Sequence, residues 1–88
     1  MQLTTIQTDK KEFVEGVLAA LLKEAYNCSN KIADVTYEAF EANDSEFVYI
    51  ELEPTHEGGV ERIIKVDVTA DSLSAIVTDV IRVMNDRY

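Results

Sequence analysis

The amino-acid sequence predicts an α+β fold in the order helix, three-stranded antiparallel meander, helix (αβββα), with both helices on one face of the sheet. A helical apolar pattern occurs near each end of the chain, and three stretches of alternating apolar and polar residues lie between them. Short turn-forming segments separate these three stretches, which favours hairpin connections. Three strands need helical cover to be stable, and each helix has one apolar side to supply it.

The length and composition indicate a single domain over residues 1–88. A chain of 88 residues is too short for two cores, and its apolar fraction of 47% is high enough to form one. No apolar run approaches the roughly 20 residues that span a bilayer. The segment Met1–Ile6 lacks the pattern of a secretory signal, and the single cysteine, Cys28, allows no internal disulfide. These observations predict a cytoplasmic protein with no membrane contact.

The first helix is expected over residues 9–27, with Asp9 and Glu12 in capping-box spacing. Leu3 and Ile6, before it, either dock on the core or fray. The apolar residues fall on one side of a regular helical wheel, and we expect that side to be buried: Phe13, Val14, Val17, Leu18, Leu21, Leu22 and Ala25. The opposite side carries Glu12, Glu15, Gly16, Ala19 and Lys23.

Three strands are predicted over residues 32–41, 46–53 and 60–68. Ile32 and Phe40 break the alternation of the first strand, which suggests a bulge or a change of face near each end. The turns are expected at 43–45 and 56–59. The inward residues of the three strands are Val35, Tyr37, Ala39, Val48, Ile50, Leu52, Ile64, Val66 and Val68.

A last helix is expected from Asp71, as its cap, to about residue 86. Its predicted buried stripe comprises Leu73, Ile76, Val77, Val80, Ile81 and Met84. The predicted core of the whole domain is Val14, Val17, Leu18, Leu21, Val35, Tyr37, Val48, Ile50, Leu52, Ile64, Val66, Ile76, Val77 and Val80.

No pattern of residues points to catalysis, and we expect neither enzyme activity nor a cofactor or metal. Cys28 and His56 are the only thiol and imidazole, and no spacing argument brings them together. Cys28 is interpreted as a small apolar residue and His56 as a solvated turn residue. Gly58 and Gly59 lie between strands and do not open a helix, so they do not form a phosphate loop.

The net charge of −9 is concentrated in the middle of the chain. Positions 32–61 hold nine of the seventeen acids and no lysine or arginine, which leaves eight acids and eight bases elsewhere. Such an excess of acids disfavours direct binding of nucleic acid and favours a protein partner with a basic surface.

The outward side of the three strands is the candidate binding face. It is predicted to carry Asp34, Thr36, Glu38, Phe47, Tyr49, Glu51, Glu53, Ile63, Lys65 and Asp67. Aromatic residues are enriched in protein interfaces, and here the alternation turns them away from the core. Two alternatives remain: cross-strand aromatic pairs that only stabilise the sheet, or an N-terminal segment that folds over them.

In size, charge and element order the chain resembles the small acidic inhibitors that phages make against restriction and CRISPR nucleases, some of which imitate DNA. The resemblance implies an inhibitor that occupies the basic nucleic-acid groove of a nuclease. The alternative is an assembly or adaptor protein that forms a homodimer through its sheet face or an edge strand.

Overall fold

The computed structural model describes residues 4–26, 32–53 and 62–87 and confirms the αβββα order. Helix α1 comprises Thr5–Glu12, a π-helical segment Phe13–Leu18, and Ala19–Ala25. Strand β1 is Ile32–Phe40, a 3₁₀ turn follows at Glu41–Asn43, and strands β2 and β3 are Ser45–Leu52 and Arg62–Asp67. Helix α2 is Leu73–Arg87. The strands pair antiparallel in the order β1-β2-β3, so β1 and β3 are the edges.

Helix α1 begins earlier than the sequence predicted, because Thr4 supplies the cap. The Thr4 hydroxyl accepts the Gln7 N–H at 3.1 Å, and Gln7 Oε1 accepts the Thr4 N–H at 3.1 Å. These two bonds form a capping box whose first residue, Thr4, lies five residues upstream of the predicted cap, Asp9. Ile6 therefore belongs to the first turn of a helix.

The π-helical segment corrects the predicted buried side of α1. The buried residues of this helix include Lys10, Val14, Leu18 and Leu22, which are spaced by four. In a regular α-helix of 3.6 residues per turn that spacing drifts around the axis, whereas the wider π turn keeps such residues in line. Ala19 is therefore buried against expectation, while Val17 and Leu21 are 62% and 52% exposed, and Ala25 is also exposed.

The strands show the predicted alternation, and the bulge expected near Ile32 is present as a register shift between Ile32 and Asp34. Phe40 does not change face: it continues the outward set of β1 and is partly exposed. One feature of β2 was not predicted, since Glu46 shares the inward side with Val48 and is buried.

Helix α2 is capped by Ser72 and not by Asp71. The Ser72 carbonyl accepts the Ile76 N–H at 2.9 Å, and its hydroxyl accepts the Ala75 N–H at 3.3 Å. Within the predicted stripe of α2, Ile76, Val80 and Met84 are fully buried, but Leu73 is 41% exposed at the start of the helix.

Both helices cover one face of the sheet, with α1 against β1 and α2 against β3, and a single core lies between the layers. The buried apolar residues are Val14, Leu18, Ala19, Leu22, Ile32, Val35, Tyr37, Ala39, Val48, Ile50, Leu52, Ile64, Val66, Val68, Ile76, Val80 and Met84. Within the described part of the chain, no helix has the length and apolarity needed to cross a membrane. The interpretations of Leu3, Cys28, His56, Gly58 and Gly59 fall outside the described residues.

Candidate protein-binding face

The register of the sheet brings the predicted outward residues together as three rows on the face opposite the helices. Asp34 lies opposite Glu51, and Glu51 opposite Ile63. The second row is formed by Thr36, Tyr49 and Lys65, and the third by Glu38, Phe47 and Asp67. Glu53 lies just beyond the end of β2 and is exposed.

The first row places two carboxylates directly across from each other. Asp34 and Glu51 are Cα partners in neighbouring strands, and like charges in that position destabilise a sheet. Among residues 4–26, 32–53 and 62–87, neither carboxylate forms a salt bridge. The Asp34 side chain does accept its neighbour's amide, with Val35 N–H to Oδ1 at 2.9 Å. The described structure therefore places no cation within salt-bridge distance of either carboxylate.

Three aromatic rings form a cluster beside the acids. The Phe47 ring lies edge-on to Phe40 at a centroid distance of 5.9 Å and tilted against Tyr49 at 6.3 Å. The Lys65 ammonium lies 4.2 Å from the centroid of Phe47. Aromatic pairs and cation–π contacts of this kind stabilise the sheet. The aromatic residues therefore have, in part, the sheet-stabilising role that the sequence left open as an alternative to binding. The contact also shows that this face can hold a cation against an aromatic ring.

A shallow depression of about 290 Å³ opens on the acidic part of the face. Its lining residues are Asp34, Thr36, Glu38, Tyr49, Glu51 and Ile63, all of them predicted members of the face. The volume of this depression lies at the lower limit for small-molecule pockets, which are lined mostly by hydrophobic and aromatic side chains. Here four of the six lining residues are polar and not aromatic. Ile63, 58% exposed, is the large aliphatic residue on its margin.

Asp67 has a local structural role at the opposite corner of the face. Its Oδ1 accepts the Thr69 N–H at 2.9 Å, and this bond, together with the Thr69 hydroxyl and Lys65, holds the pKa of Asp67 below its ordinary value. The carboxylate therefore stays ionised well into the acidic range while it orders the turn after β3.

The described N-terminal residues do not cover this face. Residues 5–12 belong to helix α1, which contacts β1 from the core side. Sequence reasoning did miss Phe40 as a member of the aromatic cluster. The outward alternation of Thr36 and Glu38 was the signal that extends to it.

The described residues contain no group of three or more His, Cys, Asp or Glu side chains placed to hold a metal ion. Comparison of the chain with protein-family models, with curated proteins and with solved structures finds no match in any of the three. Function is therefore inferred from the geometry and charge of the sheet face.

Proposed function

We propose that this chain is a non-enzymatic protein-binding module that uses its acidic, aromatic-bearing sheet face to occupy the basic nucleic-acid groove of a nuclease, such as a CRISPR effector. The observation that supports the proposal is the first row of the face, in which Asp34 and Glu51 are cross-strand partners. Asp34 and Glu51 face each other with no cation within salt-bridge distance among the described residues, an arrangement that reduces stability unless a partner supplies the positive charge.

The spacing of the carboxylates suits a partner built to bind a phosphate backbone. Residues two apart on a strand recur every 6 to 7 Å or so, which is the spacing of Glu51 and Glu53. Asp34 and Glu38 on β1 are four residues apart and so repeat at about twice that distance. A face of this charge speeds its encounter with a basic groove by electrostatic steering. The partner is a protein, because the same charge repels nucleic acid.

The aromatic cluster supplies the apolar part of the proposed interface. Phe47 is half-buried and held by Phe40 and Tyr49, so it is already ordered before a partner arrives. Ordered aromatic residues at the centre of an interface typically account for much of its binding energy. We therefore expect Phe47 and Tyr49 to contact the partner within the acidic field.

The proposal is tested by competition for DNA. Purified CRISPR effectors and restriction nucleases are loaded with labelled duplex DNA, and release of the DNA is followed by fluorescence anisotropy as this protein is added. We expect release by at least one nuclease, with an affinity that falls steeply between about 50 and 200 mM salt.

Two double variants for this test remove the same amount of charge from two different places. Glu51→Gln with Glu53→Gln neutralises the face, whereas Glu41→Gln with Asp44→Asn neutralises two exposed acids in the β1–β2 connection. The first pair should weaken binding about tenfold, or about 1.4 kcal/mol, and the second much less. Binding that survives the first pair but is lost in Phe47→Ala would contradict nucleic-acid mimicry.

A further inference from the structure

The two edges of the sheet are protected to different degrees. On β1, two backbone amides that point away from β2 are bonded by carboxylates: Val35 N–H to Asp34 Oδ1 at 2.9 Å, and Tyr37 N–H to Glu15 Oε2 at 3.0 Å. Lys11 in turn holds Glu15, with Nζ to Oε2 at 2.6 Å. This edge is thus closed to an added strand over its central residues, because its donors are already taken.

The edge formed by β3 has no such protection in the described structure. The Val68 N–H bonds the Glu46 carbonyl at 2.9 Å, so the alternation of an antiparallel ladder assigns the Ile64 and Val66 backbone groups to β2. The backbone groups of Ile63, Lys65 and Asp67 therefore point away from the sheet. Within residues 4–26, 32–53 and 62–87, no side chain bonds to these groups.

We propose that a second copy of this chain pairs with that edge, β3 against β3 in antiparallel orientation, with the two-fold axis passing between the two Val66 residues. In this register Lys65 of each copy lies opposite Asp67 of the other, so the outer face gains two oppositely charged cross-strand pairs. On the core side, Ile64 lies opposite Val68 of the other copy and Val66 opposite Val66.

Charge selects this register over its two neighbours. An axis through Lys65 sets lysine against lysine, and an axis through Asp67 sets aspartate against aspartate. Like charges directly opposite destabilise both. A lysine on an edge strand ordinarily discourages pairing, but in the register centred on Val66 it meets an aspartate.

The pairing produces one continuous six-stranded sheet. Side chains that lie opposite each other in an antiparallel pair point to the same face of the sheet. All four helices therefore cover one side of the dimer, and the acidic faces of both copies lie side by side on the other. The contact uses the edge of β3 and leaves the outer face open, so the dimer does not depend on the proposed nuclease partner.

The test is complementation by charge reversal, and dimerisation is measured by sedimentation equilibrium from about 1 μM to 1 mM protein. The salt is set at 0.15 M, where a Debye length of about 8 Å screens the repulsion between two chains of net charge −9. We expect the natural sequence to dimerise, and Lys65→Glu and Asp67→Lys each to be monomeric. An equimolar mixture of these two variants should dimerise again, because each lysine then faces an acid.

Matched controls carry the same charge changes on helix α1: Lys23→Glu and Asp9→Lys, both at exposed positions. These should dimerise like the natural sequence. The inference is overturned if the natural chain stays monomeric at 1 mM or so, if either β3 variant dimerises unchanged, or if the mixture remains monomeric. Rescue in the mixture also shows that both variants fold.

Discussion

Lys10 and Glu46 form a buried ion pair between helix α1 and strand β2, with Nζ 2.8 Å from Oε1 and both side chains 9% exposed. The Tyr37 hydroxyl donates to the same Oε1, and the Ala70 N–H donates to Oε2 at 2.8 Å. Burial raises the pKa of Glu46, but hydrogen bonds from Lys10, Tyr37 and Ala70 together hold it below its ordinary value. The pKa of the Tyr37 phenol is raised by burial and by this carboxylate.

Removal of one member of this pair should be strongly destabilising. Lys10→Met leaves the Glu46 carboxylate buried without its cation, and we expect the free energy of unfolding to fall by about 3–5 kcal/mol. The control is Lys11→Met, whose ion pair with Glu15 is half-exposed and should contribute about 0–1 kcal/mol. Urea denaturation followed by circular dichroism measures both, and equal losses would contradict the prediction.

The same carboxylate should make the fold sensitive to acid. The pKa of Glu46 is lower in the folded state than in the unfolded chain, where it is about 4.3. The ionised carboxylate therefore contributes to the free energy of unfolding above that pH. The contribution is lost as the pH falls through the lower, folded value. Glu46→Gln should therefore be least stable relative to the natural sequence at neutral pH, with a difference that shrinks below about pH 4. A difference independent of pH would show that the charge is not responsible.

Asp71 should show the opposite pH dependence. Hydrogen bonding to Asp79, burial and the charge of Asp79 raise the pKa of Asp71 to about 6, against the opposing charge of Lys10, and its Oδ2 is buried without a partner among the described residues. Because the unfolded value is about 3.9, the folded state binds more protons between about pH 4 and 6, and stability falls as the pH rises through that window.

The corresponding variant is Asp71→Asn. It should remove that pH-dependent fall and raise stability at pH 7 by on the order of 1 kcal/mol, since the side chain is partly solvated. Glu41→Gln, which neutralises an exposed acid in the β1–β2 connection, is the control. Thermal denaturation from pH 4 to 7 or so distinguishes them. A parallel response of the two variants would exclude a special role for the pair of Asp71 and Asp79.

The opposed acids on the sheet face should reduce stability. Asp34→Asn and Glu51→Gln should each raise the free energy of unfolding by about 0.2–1 kcal/mol, and the double variant should gain little more than either single one. Glu38→Gln is the control, because its cross-strand partner is Phe47 and not an acid. Additive gains in the double variant would mean that the two carboxylates do not interact.

Neighbouring leucines of α1 should differ sharply in their response to truncation. Leu22→Ala removes a fully buried side chain and should cost about 2–5 kcal/mol, whereas Leu21→Ala, at an exposed position, should change stability by less than about 0.5 kcal/mol. Denaturant midpoints of the two variants measure this difference. Similar costs would indicate that α1 keeps a regular α-helical phase.

The amino-acid sequence by itself determined the order of elements, most of the inward apolar residues of the strands, and the members of the outer face other than Phe40. Strand alternation has a period of two, so parity alone assigns Phe47 and Tyr49 to one side and Val48 and Ile50 to the other. The buried side of helix α1 was predicted less well. A helical wheel assumes the same rotation at every residue, so it does not represent the π-helical segment that turns Val17 and Leu21 outward.

Tertiary structure alone decided which charged residues are internal and how the two edges differ. Glu46 lies on the inward side of β2, but its partner Lys10 is 36 positions away in the chain, and only packing of α1 over the sheet brings the two together. Likewise, Glu15 reaches the β1 edge from the helix, while β3 is left open within the described residues. Local sequence patterns report periodicity, whereas these pairings depend on contacts between segments distant in the chain.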